Sequence, residues 1–355
     1  MIKKIIVTGA TGQDGSYMIE YLLNNTKHKI IAAVRRTSQF INSNLKNVIN
    51  NNRVSIVYFD LIDPHSIETL IKNEQPDYFI NFGAQTFVAD SWNMPFLHFQ
   101  TNAISTLHIL ESIRKYCPQC KLYLSGSSEE VGDVDYSPQD EKHPLKPRSP
   151  YAASKATSRL LAKVYRDSYN IFAVQGILFN HESERRQDYF VTRKITKGVA
   201  RIYHAIKNNQ PFDPIELGNI DARRDWSHAE DFVDGVWKML NQEIPKDYVL
   251  SSNETHTIKE FVNLAFVYAD IPCAWHGEGE HKELSIQSNI LSLGEAQSSV
   301  LVKINPKFYR PAEVEILLGN SDLARRELGW RPKVSFDKLV EKMVKFDIDN
   351  FQKSV

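Results

Sequence analysis

The sequence predicts an α/β fold: a doubly wound parallel sheet with a smaller α/β carboxy-terminal domain. Three observations predict it. Short apolar runs rich in β-branched residues alternate with helical patterns along the first two-thirds of the chain, as a parallel sheet covered on both faces requires. The first run, Ile5-Ile6-Val7, leads into a turn carrying Gly9, Gly12 and Gly15 and then into a helical pattern. Beyond about residue 180 the alternation loosens, with Pro211, Pro214 and Gly218 around one short strand.

In chain order, strands are expected at 3–8, 29–34, 54–59, 77–82, 120–125 and 171–177. Between and after them, helices are expected at 15–25, 64–73, 99–116, 150–169 and 189–207. The first helix follows from Tyr17, Met18, Tyr21 and Leu22, which fall on one face at helical spacing. A helix at 228–240 and a strand at 247–251 are expected to return to the main sheet, followed by a helix at 257–269. The polar stretch 270–310 reads as irregular, and helices at 321–328 and 335–350 close the chain. The expected division is a first domain over 1–180, with returning segments at about 215–255, and a second domain over most of 181–355.

The glycine turn names a ligand class. Three glycines at this spacing, after a strand and before a helix, allow a tight turn, close approach to a pyrophosphate and close helix–strand packing. The helix amino terminus then offers unpaired N–H groups to phosphate. This is the fingerprint of a Rossmann-type, dinucleotide-binding sheet. After the second strand stand Arg35 and Arg36, where an NAD-binding unit would usually place an acid for the ribose. Arginine accommodates a 2′-phosphate, so NADP is the expected cofactor. Asp60 and Leu61, after the third strand, are placed to meet the adenine edge.

Composition excludes several other classes. The 355 residues carry 43 basic and 43 acidic side chains, so no global field favours nucleic acid or a membrane surface. No leader pattern precedes the first strand and no apolar run is long enough to span a bilayer. Three cysteines make no disulfide framework, and a cytoplasmic location is expected. Cys117 and Cys120 have redox-motif spacing but lack the other features of a thioredoxin-like unit. No metal is expected: two thiols alone make a poor zinc site, and no second histidine follows His181 four residues on.

Chemistry gathers at Ser127-Ser128-Glu129 and at Tyr151 with Lys155. A Tyr and a Lys four apart on a helix share one face. A phenol titrates near pH ~10, too high for a base at neutrality, but a neighbouring ammonium favours the phenolate. The pair can therefore take a proton from an alcohol, and a carboxylate nearby can remove a second proton beside the new ketone.

These residues resemble the extended short-chain dehydrogenase/reductase family, and within it the nucleotide-sugar 4,6-dehydratases, the group acting on GDP-mannose above all. The resemblance covers nearly the whole chain. It is carried by Thr8 to Tyr17, by Gly83-Ala84-Gln85, by Pro147 to Tyr151 and by Gly176 to Ser183. Val191 to Thr196, Leu217 to Asn219, Arg224 to Trp226, Phe308 to Val314 and Leu328 to Trp330 continue the series.

The resemblance implies four catalytic residues. Tyr151, beside Lys155, would take the 4-hydroxyl proton while C4 gives up a hydride. Glu129 would remove the C5 proton and help water leave C6, with a hydrogen bond from Ser127. Cofactor contacts are implied for Gly9, Thr11, Gly12, Gln13, Asp14, Gly15, Gly83, Ala84, Gln85, Tyr151, Lys155, Leu178, Asn180 and His181, beside Arg35, Arg36, Asp60 and Leu61. Contacts to a GDP-linked sugar are implied for Ser91, Ser128, Glu129, Asn180, Val191, Lys194, Leu217, Gly218, Arg224, Arg310 and Glu313. A homo-oligomer, dimer or tetramer, is also implied, with helices at about 95–116 and 150–169 meeting a second copy and the loop 35–52 reaching a neighbour's cofactor site.

Three departures keep alternatives open. The family usually has Thr at Ser127, Tyr at Val131 and, in the GDP-mannose group, His at Phe87. Ser127 suits a sugar 4-epimerase or 4-reductase of the same superfamily, whereas Glu129 is an acid that only a dehydratase needs. Phe87 leaves room for a GDP-linked manno-heptose. A non-catalytic NADP-binding subunit is the reading from another class, and the intact Glu129, Tyr151 and Lys155 speak against it.

Overall fold

The computed structural model describes residues 1–37, 43–287, 299–309 and 316–351. Two compact units divide the chain: the first comprises 1–181, 228–254 and 317–333, the second 182–227, 255–316 and 334–355.

The first unit is built on a seven-stranded sheet. Its strands in chain order are β1 (Lys4–Thr8), β2 (Lys29–Val34), β3 (Val54–Tyr58), β4 (Tyr78–Asn81), β5 (Lys121–Ser125) and β6 (Ala173–Leu178), joined by the later strand Tyr248–Leu250. Across the sheet the order is Tyr248–Leu250, β6, β5, β4, β1, β2, β3, and every pairing is parallel. Helices α1 (Gln13–Asn25), α2 (Pro64–Glu74), α3 (Pro95–Phe99), α4 (Ser105–Tyr116) and α5 (Pro150–Tyr169) supply the crossovers. β1 shows why the inner strands are largely apolar. Ile5 and Val7 pack on one face with Met18 and Val236, while Ile6 packs on the other with Ile67 and Ile109. Each such fully buried side chain contributes roughly 1.5–3 kcal/mol. The chain reverses its order across the sheet between β1 and β4, the switch point where ligands of open α/β sheets bind.

The second unit has its own sheet and core. Cys273–His276, Glu283–Ile286, Val300–Ile304 and Ile215–Leu217 form four strands, antiparallel except for the last pair. The helices Val191–Lys207, Ile258–Tyr268 and Phe336–Asn350 pack Val199, Phe266 and Met343 against Leu284 and Val302. This corrects the expectation that 270–310 is irregular. Glu283–Ile286 alternates half-exposed with buried residues, and Cys273–His276 has no fully buried residue, so neither gives a continuous apolar run. Gly277 and Gly279, with φ of +74° and +54°, make the turn that joins the first two.

Helix ends differ from expectation by a turn or so. The helix expected from 99 begins at Pro95, whose fixed φ suits a first helical position. It continues through a π-helical turn, Gln100–Ile104, into α4. No helix among the described residues is long and apolar enough to cross a membrane.

Candidate active site

The cofactor candidates lie at the switch point of the first unit. Gly9 follows β1 with φ +62°, and a Cβ there would sit 2.8 Å from the backbone nitrogen of Gly83, which follows β4. A Cβ on Gly15 would lie 2.3 Å from the Gly9 carbonyl oxygen. Only glycines allow this turn to close, and it presents the amino terminus of α1 without a side chain in the way. Thr8 Oγ1 donates to Asn81 Oδ1 at 2.5 Å and accepts from the Gly83 N–H at 3.1 Å, which locks the two strand ends together. Leu61 is buried, and its Cδ1 would lie 2.7 Å from a Gly83 Cβ. Thr11 is half-buried and Gly12 exposed, while Arg35 and Arg36 stand exposed after β2 and Asp60 is half-buried after β3. The residues thus fit a bound dinucleotide: a cleared cradle at the amino terminus of α1, with Arg35 and Arg36 following β2.

Gln13, Asp14 and His181 form one cluster on this cradle. Gln13 Nε2 donates to Asp14 Oδ1 and to the His181 carbonyl, both at 3.0 Å. The His181 ring meets Asp14 Oδ2 at 3.0 Å and the Phe179 carbonyl at 2.8 Å, and it stacks on Phe232. Leu178 is buried at the end of β6, and Asn180, two residues on, keeps a buried Oδ1 without a hydrogen bond among the described residues.

The catalytic candidates follow β5 and open α5. Ser127 caps a 3-10 turn, Ser128–Glu130: its Oγ accepts from the Glu129 N–H at 3.2 Å. The hydroxyl hydrogen remains to be donated. Ser128 is buried and Glu129 half-exposed. Ser149 caps α5 by accepting from the Ala152 N–H, and Pro150 starts it, which puts Tyr151 and Lys155 one turn apart. Lys155 is nearly fully buried, and its Nζ donates to the Ser125 carbonyl at 2.7 Å and Ser125 Oγ at 3.3 Å. Burial lowers its pKa to about 8, although Glu130 and Asp14 pull the other way. An ammonium this easily deprotonated can pass a proton as well as hold charge beside the phenol.

Two residues that sequence reasoning missed hold these groups in place. Asn102, in the π-helical turn, accepts from the Gln85 N–H at 2.9 Å and donates to the Gln85 carbonyl and Ser154 Oγ, both at 3.0 Å. Ser154 in turn donates to the Tyr151 carbonyl at 2.7 Å. The loop Gly83-Ala84-Gln85 is thereby tied to the helix bearing the phenol. Glu130 is the second, fully buried and bonded to the Ser127 N–H at 2.8 Å.

Ser91, a substrate candidate, is fully buried and donates to the Val88 carbonyl at 2.6 Å. It closes a short 3-10 turn.

The remaining sugar-nucleotide candidates belong to the second unit. Val191 begins the helix Val191–Lys207, and Lys194 lies one turn on. Lys194 Nζ sits 3.3 Å from the centre of the Phe308 ring, and burial lowers its pKa. Leu217 is buried, and a Cβ on Gly218 would meet the Phe308 carbonyl oxygen at 2.6 Å, so backbone approaches backbone here. Lys194 and Phe308 line a cleft of about 640 Å3 together with Ile215 and Glu216. Arg224 is buried on a two-residue strand, with Nη1 donating to the Arg223 carbonyl at 2.8 Å. Arg310 and Glu313 lie outside the described residues.

The family model described as GDP-mannose 4,6 dehydratase matches residues 6–343. The chain belongs to the GDP-mannose 4,6-dehydratase family. A GDP-mannose 4,6 dehydratase of Drosophila melanogaster is 39% identical over 360 residues, covering 99% of this chain and 88% of the relative. GDP-mannose 4,6 dehydratase 2 of Caenorhabditis elegans is 38% identical over 356 residues, covering 98% and 89%. A solved UDP-glucose 4-epimerase of Thermus thermophilus, in complex with NAD, has a TM-score of 0.77 at 22% identity, covering 99% of this chain and 100% of that one. That likeness shows the shared fold. The epimerase, reductase and heptose readings left open by Ser127 and Phe87 are not favoured by the relatives of this GDP-mannose 4,6-dehydratase family member.

Proposed function

We propose that the chain is a hydro-lyase that converts GDP-mannose to its 4-keto-6-deoxy product, using a nicotinamide cofactor that is regenerated in each turnover. The observation that carries the reading is Glu129, present in the Ser127 turn of a chain that matches the GDP-mannose 4,6-dehydratase family over 6–343. When bound, the nicotinamide supplies hydride chemistry, accepting the hydride from C4 of the sugar and giving it back at C6. Tyr151 takes the proton of the 4-hydroxyl, with the Lys155 ammonium stabilising the phenolate. The ketone at C4 acidifies C5, and Glu129 removes that proton. The same carboxyl then protonates the departing C6 hydroxyl, aided by the Ser127 hydroxyl, and water leaves. A proton returned to C5 balances the sum: one water is lost and the cofactor is unchanged.

Finer points follow from the same reading. The cofactor is NADP, supported by Arg35 and Arg36 where an acid would serve NAD. Calorimetric titration should give tighter binding of NADP, and equal affinities would defeat the assignment. The first unit binds the cofactor, and Val191, Lys194, Leu217, Gly218 and Arg224 of the second unit hold the GDP moiety, with Arg310 and Glu313. The enzyme is a homo-oligomer, supported by Phe96 in α3 and by Leu160 and Val164, one turn apart on α5, which are 90%, 54% and 53% exposed. Light scattering at micromolar protein should give a dimer or tetramer, and a monomer would refute it. The free thiols Cys117, Cys120 and Cys273 support a cytoplasmic location. The primary test is incubation with GDP-mannose and detection of the alkali-sensitive chromophore of a 4-keto sugar. No product at high enzyme, with turnover of another nucleotide sugar, would overturn the substrate.

A further inference from the structure

Glu130 has no part in the chemistry above, yet it is the last residue of the turn that carries it. Glu130 and Gln175 are both 0% exposed. Glu130 Oε1 accepts from the Ser127 N–H at 2.8 Å and from Gln175 Nε2 at 2.7 Å. The other oxygen of each group, Glu130 Oε2 and Gln175 Oε1, is buried without a partner among the described residues. Two planar groups are thus joined on one side by an N–H···O bond, while each has a bare acceptor left. A carboxylate cannot mend this, because it only accepts. One proton on Oε2 turns an acceptor into a donor and can satisfy both atoms.

We propose that Glu130 is a positioning residue that works as a neutral acid, its Oε2 proton donated to Gln175 Oε1 to close an acid–amide ring that anchors the Ser127–Glu129 turn. The surroundings support it. A Cβ on Gly126, just before the turn, would meet Gln175 Nε2 at 2.5 Å and Glu130 Oε1 at 2.8 Å, so the pair packs against the backbone leading to Ser127. The facing cations are engaged elsewhere. From α5, Lys155 is held by Ser125, and Arg159 donates to the Glu141 carbonyl at 2.7 Å and approaches Asp247 at 3.9 Å. Asp247, ahead of the strand Tyr248–Leu250, is paired with Arg166 at 3.0 Å and accepts from the Gln175 N–H at 2.8 Å. Glu129 is the other acid of the same turn. Burial raises the Glu130 pKa to about 7, against the pull of Arg159, the Ser127 N–H and Lys155, with Asp247 adding to the rise. As pH climbs through that value the ring opens, the Ser127 hydroxyl and Glu129 lose their aim, and kcat falls.

The catalytic consequence rests on the proposed function, so the test includes a readout without turnover. Infrared difference spectra of the wild-type protein against Glu130→Gln at pH 6 should show a buried, protonated carboxyl that the variant lacks. That band should fade as pH rises through about 7. Its absence would overturn the ring whatever the enzyme turns over. In kinetics, Glu130→Gln mimics the neutral acid and should keep kcat within about twofold at low pH. Wild-type kcat should fall about tenfold per pH unit above the titration, and the Gln variant should not. Glu130→Leu should lose kcat by about tenfold or more at every pH with KM nearly unchanged, because the turn is misplaced. Superimposable pH profiles for wild type and Glu130→Gln would overturn the positioning role. Should the Gln variant fail to fold, the pH titration of the wild-type infrared band decides.

Discussion

In the first unit, the turn Ser127–Glu130 and the start of α5 are held by directional bonds. Ser127 is bonded through both its N–H and its Oγ, Lys155 through Ser125, and the Tyr151 carbonyl through Ser154 and Asn102. In the second unit, Lys194 rests over a ring face at 3.3 Å, and Gly218 allows two backbones to touch beside an open cleft. Hydrogen bonds to buried backbone fix the aim of a group to a few tenths of an ångström, as proton transfer demands. Packing and cation–π contact give binding energy with less demand on aim. The contrast implies that damage to the first region falls on kcat, and damage to the second falls on KM.

The largest effect should come from Glu129→Gln, with kcat reduced about 10³-fold and KM little changed. Oxidation at C4 does not need Glu129, so absorbance should show reduced nicotinamide accumulating on the enzyme. Tyr151→Phe should lose about 10²-fold or more in kcat without that accumulation, because the first proton is never taken. Seeing reduced cofactor build up in both variants would break the division of roles.

Stability sharpens the comparison next. A carboxyl whose folded pKa is raised holds its stability contribution at low pH and loses it as pH rises through the folded value. Glu130 moves from 4.5 to about 7. Urea unfolding of wild type should therefore weaken relative to Glu130→Gln by on the order of 3 kcal/mol between pH 4.5 and 7.5. Parallel stability curves would contradict the buried proton. Asn102→Leu, which strands the Gln85 backbone groups, should cost about 2 kcal/mol in the same assay.

Much of this was legible in the sequence, and the rest was not for identifiable reasons. Ile5 to Gly15 reads directly because strand, turn and helix are local and glycine spacing is a backbone requirement. The inner strands of the seven-stranded sheet read because they are buried on both faces. The strands Cys273–His276 and Glu283–Ile286 were missed because each has only four residues and the first buries none of them fully. Glu129 and Glu130 are adjacent and chemically alike, and only the 3-10 turn decides which is buried. Asn102 lies in a π-helical turn, which no periodicity announces.

The second region offers the smallest effect and the sharpest contrast. Lys194→Ala should raise KM for the GDP-sugar about tenfold, equivalent to ~1.4 kcal/mol, while kcat stays near wild type. A drop in kcat at constant KM would put Lys194 with the catalytic groups and dissolve the comparison.

The central claim, dehydration across C5 and C6 of GDP-mannose, is tested most directly by running the reaction in D2O and reading the product by NMR. The account predicts a 4-keto sugar that has lost one water, with the C4 hydrogen transferred to a C6 methyl and one deuterium at C5. Recovery of a 4-epimer with its C6 hydroxyl intact and no deuterium at C5 would contradict it.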